Sequence, residues 1–265
     1  LVVLKKKVII ELHHDLSNEG KFVKLLYSNL DILNSKSIIK IAAITNPVKN
    51  FLIKKLNVHK RKIQIVPSAS SIKMKFSKLK NKKAYNIGYF GSLDKSKGSQ
   101  FVIELSKIDK NNNYYIYGGN SRIIKNLKKK FKSKNLKLHE YVPYKNLKQH
   151  LSKMDVLVMP SNNRVLRSLG GIGNISKYTS PLKLFDYLAS GKFIITSKLK
   201  VFNEVINNNE HCMILKLEHS KWINILKKIS NNLKKINNLK KNAFQLSKKY
   251  TYKKRAQKLL EGLNN

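Results

Sequence analysis

From Asn86 onward the chain alternates short, almost wholly apolar runs with longer segments whose apolar residues recur every three or four positions. The runs Asn86–Phe90, Tyr114–Tyr117, Leu136–Val142, Asp155–Met159, Phe193–Thr196 and Cys212–Leu217 read as strands. Between them, Lys97–Ile108, Ser121–Ser133, Pro143–Met154 and Pro181–Ala189 read as helices, the last closed by Gly191. Strands spaced by helices of roughly 10–15 residues form βαβ units, and βαβ units build a parallel sheet. Strands without polar alternation agree, because helices cover both faces of such a sheet. Helical periodicity returns in Trp222–Leu246 and in Thr251–Leu263. Before Asn86 lies a smaller α/β piece, with strands at Val8–Glu11, Ile38–Ile44 and Lys62–Val66 and helices near Phe22–Leu33 and Pro47–Leu56. Residues 71–84 are polar and lysine-rich and read as a linker, which divides the chain into 1–70, 71–84, 85–248 and a final helical segment, 249–265.

Composition narrows the class. No stretch approaches the ~20 apolar residues of a membrane-spanning helix. The N-terminal Leu-Val-Val-Leu-Lys-Lys-Lys puts its charges after its apolar residues, the wrong order for a secretory signal. With no initiating Met, the chain reads as beginning inside a domain. Cys212 is the single cysteine, so no intramolecular disulfide forms, which fits a reducing cytoplasm. The formal charge of +41 admits a nucleic-acid binder, or a protein resting weakly on an anionic membrane. The excess is mostly Lys rather than Arg and comes with abundant Asn and Ile, which favours compositional drift; no specific nucleic-acid partner is expected.

Three loops carry chemistry, because a parallel α/β sheet binds ligands where strands lead into helices. Gly91-Ser92-Leu-Asp-Lys-Ser-Lys97-Gly98 follows a strand and opens a helix. Free amides and the helix dipole favour an anion there, and Lys97 adds a cation, a contact worth about 1.5–3 kcal/mol. An ordinary turn with solvated lysines is the alternative. In Ser180-Pro181-Leu182-Lys183, proline fits the first helical turn and leaves the amides of Leu182 and Lys183 unpaired. Lys183 sits against the dipole preference for acids, tolerable if an anion lies between. Asp186, one turn later, can accept hydrogen bonds from a ribose diol, or simply face solvent. Glu11-Leu12-His13-His14 stands at a strand end, where a histidine meets a sugar or bonds backbone. The adjacent histidines point to different sides and make no metal pair. No nucleophilic triad, phosphate-binding Gly-rich Lys-Ser/Thr loop or zinc motif is present in the sequence.

Together these segments resemble glycosyltransferase family 4, the group 1 enzymes of GT-B fold. Gly91–Gly98 is similar to the family's Gly-Arg-Leu-x-x-x-Lys-Gly, and Ser180–Ile195 to Ser-Pro-Leu-Lys-Leu-Phe-Glu-Tyr-Met-Ala-Ser-Gly-Lys-Pro-Ile-Ile. Glu204-Val205, Tyr250–Ala256 and Glu11-x-His13 also resemble family positions, and Val66–Ala69 takes the place of a Pro-Asn-Gly. The resemblance implies two Rossmann-like domains with parallel sheets, the acceptor-side N-terminal one incomplete, and a last helix packing back toward it. It implies a donor diphosphate held at Gly91, Ser92, Lys97 and the Ser180–Lys183 turn (Ser180, Pro181, Leu182, Lys183), the ribose on Asp186, and catalytic His13 facing the transferred sugar. The implied reaction is transfer, with retention, from a nucleotide-sugar donor to a glycan or lipid-linked acceptor in the cytoplasm or at the inner membrane face, with neither metal nor cofactor. Two positions depart: the family's Arg is Ser92, and one of its paired acids is Tyr178. A relative that binds a nucleotide sugar without transferring it, or a basic nucleic-acid-binding α/β protein, is the alternative.

Overall fold

The computed structural model describes residues 6–14, 31–162, 165–167 and 174–262. They build two parallel sheets. In the first, β1 (Val8–Leu12), β2 (Ile38–Ala43) and β3 (Ile63–Ile65) lie in the order β1-β2-β3. Helix α1 (Asn46–Leu56) starts with Pro47 in its first turn, where proline costs no hydrogen bond, and stops at Asn57 in left-handed conformation. It buries Val48 and Leu52 against Leu33, Ile38 and Ile41. The helix expected over Phe22–Leu33 falls largely on residues outside those described; of its end, Ile32–Asn34 is a single 3-10 turn.

The second sheet has six strands in the order β6-β5-β4-β7-β8-β9, every pair parallel. They are β4 (Asn86–Phe90), β5 (Asn113–Tyr117), β6 (Leu136–His139), β7 (Val156–Met159), β8 (Phe193–Ser197) and β9 (Met213–Leu215). The chain winds outward from β4 to β6, through α2 (Ser99–Ile108) and α3 (Ser121–Lys130). It returns through α4 (Tyr144–Ser152) to β7, then runs the other way through α5 (Leu182–Ser190). The order therefore reverses between β4 and β7, and a crevice opens beyond the carboxyl ends of strands at such a point. All four residues of β7 and all five of β8 are buried, as their unbroken apolar runs require.

Several boundaries differ from those the sequence predicts, and four of them have a clear local cause. Helix α5 begins at Leu182, with Pro181 as its extended N-cap (φ −70°, ψ 127°) rather than its first helical residue. Strand β6 stops at His139 because its partner β5 ends at Tyr117; beyond it the Tyr141 amide turns to the Gly119 carbonyl. Helix α3 stops at Lys130, where Phe131 becomes extended. The periodic stretch Trp222–Leu246 is two helices, α6 (His219–Lys227) and α7 (Leu233–Ser247), separated by a 3-10 turn at Ser230–Asn232. Both halves keep the apolar register, so Trp222, Ile229, Ile236 and Leu239 share one core. The last helix, α8 (Tyr252–Leu260), returns to the first sheet. Its Arg255 pairs with Glu11 of β1, and Lys40 of β2 donates to the carbonyls of Leu259 (2.9 Å) and Glu261 (2.5 Å).

Candidate donor site at the sheet switch point

Gly91–Gly98 leaves β4 and the segment from Pro160 leaves β7, the two strands that flank the reversal. They touch. A Cβ at Gly98 (φ +84°) would stand 1.9 Å from the Pro160 carbonyl oxygen, so only glycine fits. Tyr89, buried in β4, organises the loop: its hydroxyl lies 2.7 Å from the Ser92 carbonyl and 3.3 Å from that of Lys97. Asp94 turns the loop into the helix by accepting from the Ser96 amide (2.8 Å) and hydroxyl.

Lys183 reaches back from the first turn of α5 into this loop. Its ammonium lies 4.6 Å from the centre of the Tyr89 ring. A Cβ on Gly91 (φ +142°) would come within 3.0 Å of that nitrogen, so the glycine makes room for the cation. The stem is half-buried, while Nζ is shut from solvent and has no hydrogen-bond acceptor among the described residues. Burial, and then the neighbouring Lys97 charge, push Lys183 down to about 7. Lys97 is lowered too, by burial, with Asp94 opposing. The amides of Leu182 and Lys183 precede the first intrahelical bond, which Leu184 makes to Pro181 (2.9 Å). Two desolvated lysines and the amides of a helix start thus converge, and among the described residues no acidic side chain makes an ion pair with either, Asp94 acting on Lys97 only at longer range. Such a cluster is electrostatically costly until an anion enters it.

Asp186, 5% exposed, accepts on Oδ1 from the hydroxyls of Ser70 (2.6 Å) and Tyr144 (2.9 Å). Burial raises its pKa, and those two hydrogen bonds oppose the rise. The side chain of Ser180 is engaged with the chain segment that joins the sheets: its Oγ accepts from the Ser68 amide (3.1 Å), and its carbonyl from the Ser68 hydroxyl (2.7 Å). Ser92 is exposed, and its hydroxyl accepts from the Asp94 amide (3.2 Å). Pro181 and Leu182 shape the turn itself. His13 lies at the end of β1, where its Nε2 meets Glu11 Oε1 at 2.8 Å and the same oxygen carries Arg255. Tyr178 faces the first sheet, its carbonyl accepting from Thr45 (3.1 Å) and its side chain packing on that sheet's core.

Structure thus gathers Gly91, Lys97, the Leu182 amide and Lys183 into one cluster, with Asp186 a turn further along α5. Tyr89, Tyr144 and Ser70 are participants that sequence reasoning passed over. Tyr89 sits inside an apolar strand and reads as core, while Tyr144 and Ser70 are 42 and 116 residues from Asp186.

Two parallel α/β units, the larger with its strand order reversing between β4 and β7, are the architecture of the GT-B fold. Residues 70–246 match the family model for glycosyl transferases group 1, and the chain belongs to that family. Its structure is similar to Anabaena Alr3699/HepE solved with UDP and glucose (TM-score 0.71, 12% identity, 99% of this chain and 73% of that one). It is also similar to TarM (TM-score 0.69, 16% identity, 98% and 50% covered) and to a glycosyltransferase from Rickettsia africae ESF-5 (TM-score 0.68, 16% identity, 96% and 69% covered). At such identities these likenesses speak to fold alone. No curated protein sequence matches the chain.

Proposed function

We propose that this chain is the donor-binding part of a retaining, metal-independent glycosyltransferase that moves a sugar from a nucleotide diphosphate to a glycan or lipid-linked acceptor. The observation that carries this reading is Lys183. An enclosed ammonium without an acceptor, beside a second lowered lysine and the amides of a helix start, is built for an anion delivered by a ligand. A pyrophosphate supplies that anion in the ground state. As the glycosidic bond breaks, charge grows on the departing β-phosphate, and these fixed cations and dipoles stabilise it more than the substrate. Neutralising the leaving group with Lys97 and Lys183 is what supports a reaction without a bound cation or other cofactor. Asp186 Oδ2 takes no protein donor among the described residues and is the oxygen offered to a ribose diol. On this reading the acceptor attacks on the face from which the diphosphate departs, and His13 lies along that face with Glu11 fixing Nε2.

Nucleotide-sugar complexes of structural neighbours, UDP-glucose in Anabaena Alr3699/HepE among them, make a UDP-sugar the first donor to try. On this reading the reaction takes place at an anionic membrane face, where lipid-linked acceptors are presented and where part of the +41 charge would give weak attachment. Among the described residues no helix is long and apolar enough to cross that membrane. A thermal-shift panel of UDP-, GDP-, ADP- and dTDP-sugars tests the reading. One of them is expected to raise Tm, and to do so no longer in Lys97→Ala. Absence of stabilisation by every nucleotide, together with salt-sensitive binding of arbitrary duplex DNA, would sink it.

A further inference from the structure

The segment that joins the two sheets is bonded to the donor site itself. Ser68 pairs with Ser180 through two hydrogen bonds. Ser70 donates to Asp186, and its amide donates to the Tyr250 carbonyl (3.0 Å) just ahead of α8. Ser71 gives both its amide and its hydroxyl to the phenol oxygen of Tyr144, each at 3.2 Å. That oxygen also meets Asp186 Oδ1 at 2.9 Å, where the phenol must be the donor to an ionised carboxylate.

A phenol has one O–H and two lone pairs, and Tyr144 uses all three on protein partners. It has no hydrogen-bonding capacity left for a ligand, although the residue is 40% exposed. Ser70 is similarly committed: its hydroxyl donates to Asp186 and accepts from the Ile72 amide (3.0 Å). Both hydroxyls fall on Oδ1, so together they fix the rotation of the carboxylate and leave Oδ2 unclaimed among the described residues. We propose that Tyr144 is a positioning residue. It holds Asp186 with Oδ2 presented to the ribose hydroxyls, and through Ser71 it ties that presentation to the seat of the joining segment. The inference rests on the reading of Asp186 as a ribose contact. Its corollary is that nucleotide occupancy and the seat of residues 68–72 stabilise one another, because Ser70 and Tyr144 serve both.

Ribose discrimination tests the assignment, because a merely structural tyrosine leaves it unchanged. Dissociation constants are measured for UDP, or whichever of UDP, GDP and ADP binds tightest, and for its 2′,3′-dideoxy analogue. In the wild-type chain, loss of the diol weakens binding about 10- to 100-fold, the range for hydrogen bonds to a charged group. In Tyr144→Phe that ratio shrinks to about threefold or less, through weaker binding of the ribonucleotide, while the dideoxy analogue binds as it does to wild type. Ser70→Ala, which removes the other bond to Oδ1, is expected to shrink the ratio as well and stands in should Tyr144→Phe fail to fold. An undiminished ratio in the variants overturns the proposal and leaves the donor-site reading intact. Equal weakening of both ligands overturns it too, since the tyrosine would then serve the site as a whole. Failure of wild-type protein to distinguish the two ligands, or to bind any nucleotide, strikes the underlying reading instead.

Discussion

At the residue scale the largest consequence is that Lys183 is kept where it harms the free protein. Unfolded, its ammonium has an ordinary pKa near 10.5; folded, it is lowered to about 7. Between those values the unfolded chain holds a proton that the folded chain lacks, so this group makes stability rise with pH from about 7 toward 10.5 and removes stability below. Each unit of such a difference corresponds to about 1.4 kcal/mol. Lys183→Met, which keeps the stem and removes the charge, is expected to raise Tm of the ligand-free protein at pH 7 by several degrees. It should also flatten the rise of Tm with pH, checked by differential scanning calorimetry at pH 7 and 9. A variant less stable than wild type at pH 7 would mean that contacts of the ammonium, the Tyr89 ring among them, outweigh the cost of its burial. Lys240, lowered to about 8 mainly by burial, adds a smaller contribution of the same sign and stays in both proteins.

At the element scale, the loop Gly91–Gly98 and the start of α5 matter more than the helices they belong to. Gly98 combines φ +84° with backbone 1.9 Å from any added Cβ. Gly98→Ala is therefore expected to cost about 2–4 kcal/mol, from strain and from forcing β4 and β7 loops apart, and urea midpoints measure it. An unchanged midpoint would show that the loop moves freely past Pro160. This element was legible in the sequence: glycine, a lysine and a strand-to-helix position state their chemistry locally. Lys183 was visible for the same reason, since a cation in a first helical turn is a property of adjacent residues, whereas the place of Pro181 as extended N-cap rather than first helical residue was not. The partners of Asp186 were not. Tyr144 and Ser70 reach it only because β6 leads back across the sheet and the joining segment passes beside α5. The break between α6 and α7 was hidden as well, because a 3-10 turn at Ser230–Asn232 preserves the apolar register on both sides. The parallel order was readable from unbroken apolar strands; the position of its reversal was not, since periodicity says nothing about which strands pair.

At the scale of the whole molecule, the two sheets are held by a small set of polar contacts rather than by one shared core. Glu204 accepts from the Asn46 amide (2.9 Å) at the start of α1, where a carboxylate also satisfies the helix dipole. Thr45 reaches the Tyr178 carbonyl, Ser68 reaches Ser180, and α8 closes over β1 and β2 through Arg255 and Lys40. Arg255 also donates from Nε to the Pro67 carbonyl (3.1 Å), so one side chain joins helix, strand and joining segment. With 15% and 30% of the Arg255 and Glu11 side chains exposed, removing the pair is expected to cost about 1–2 kcal/mol, less than a fully buried pair would. Arg255→Met should lower Tm by a few degrees and speed proteolysis within residues 6–66. Unaltered proteolysis would place the hold elsewhere.

The account turns on Lys97 and Lys183 forming a diphosphate seat, and calorimetric titration of the protein with UDP, GDP and ADP at pH 6.5 and 8.5 tests it. Because Lys183 is about half-protonated near pH 7 when free and must be charged to meet phosphate, the account predicts proton uptake on binding and weaker affinity at pH 8.5. Lys183→Ala is predicted to lose about 10- to 100-fold in affinity at pH 6.5, the worth of one charge-assisted contact, and most of the proton uptake with it. Nucleotide binding that is equally tight in Lys183→Ala, or that takes up no proton at either pH, would contradict it.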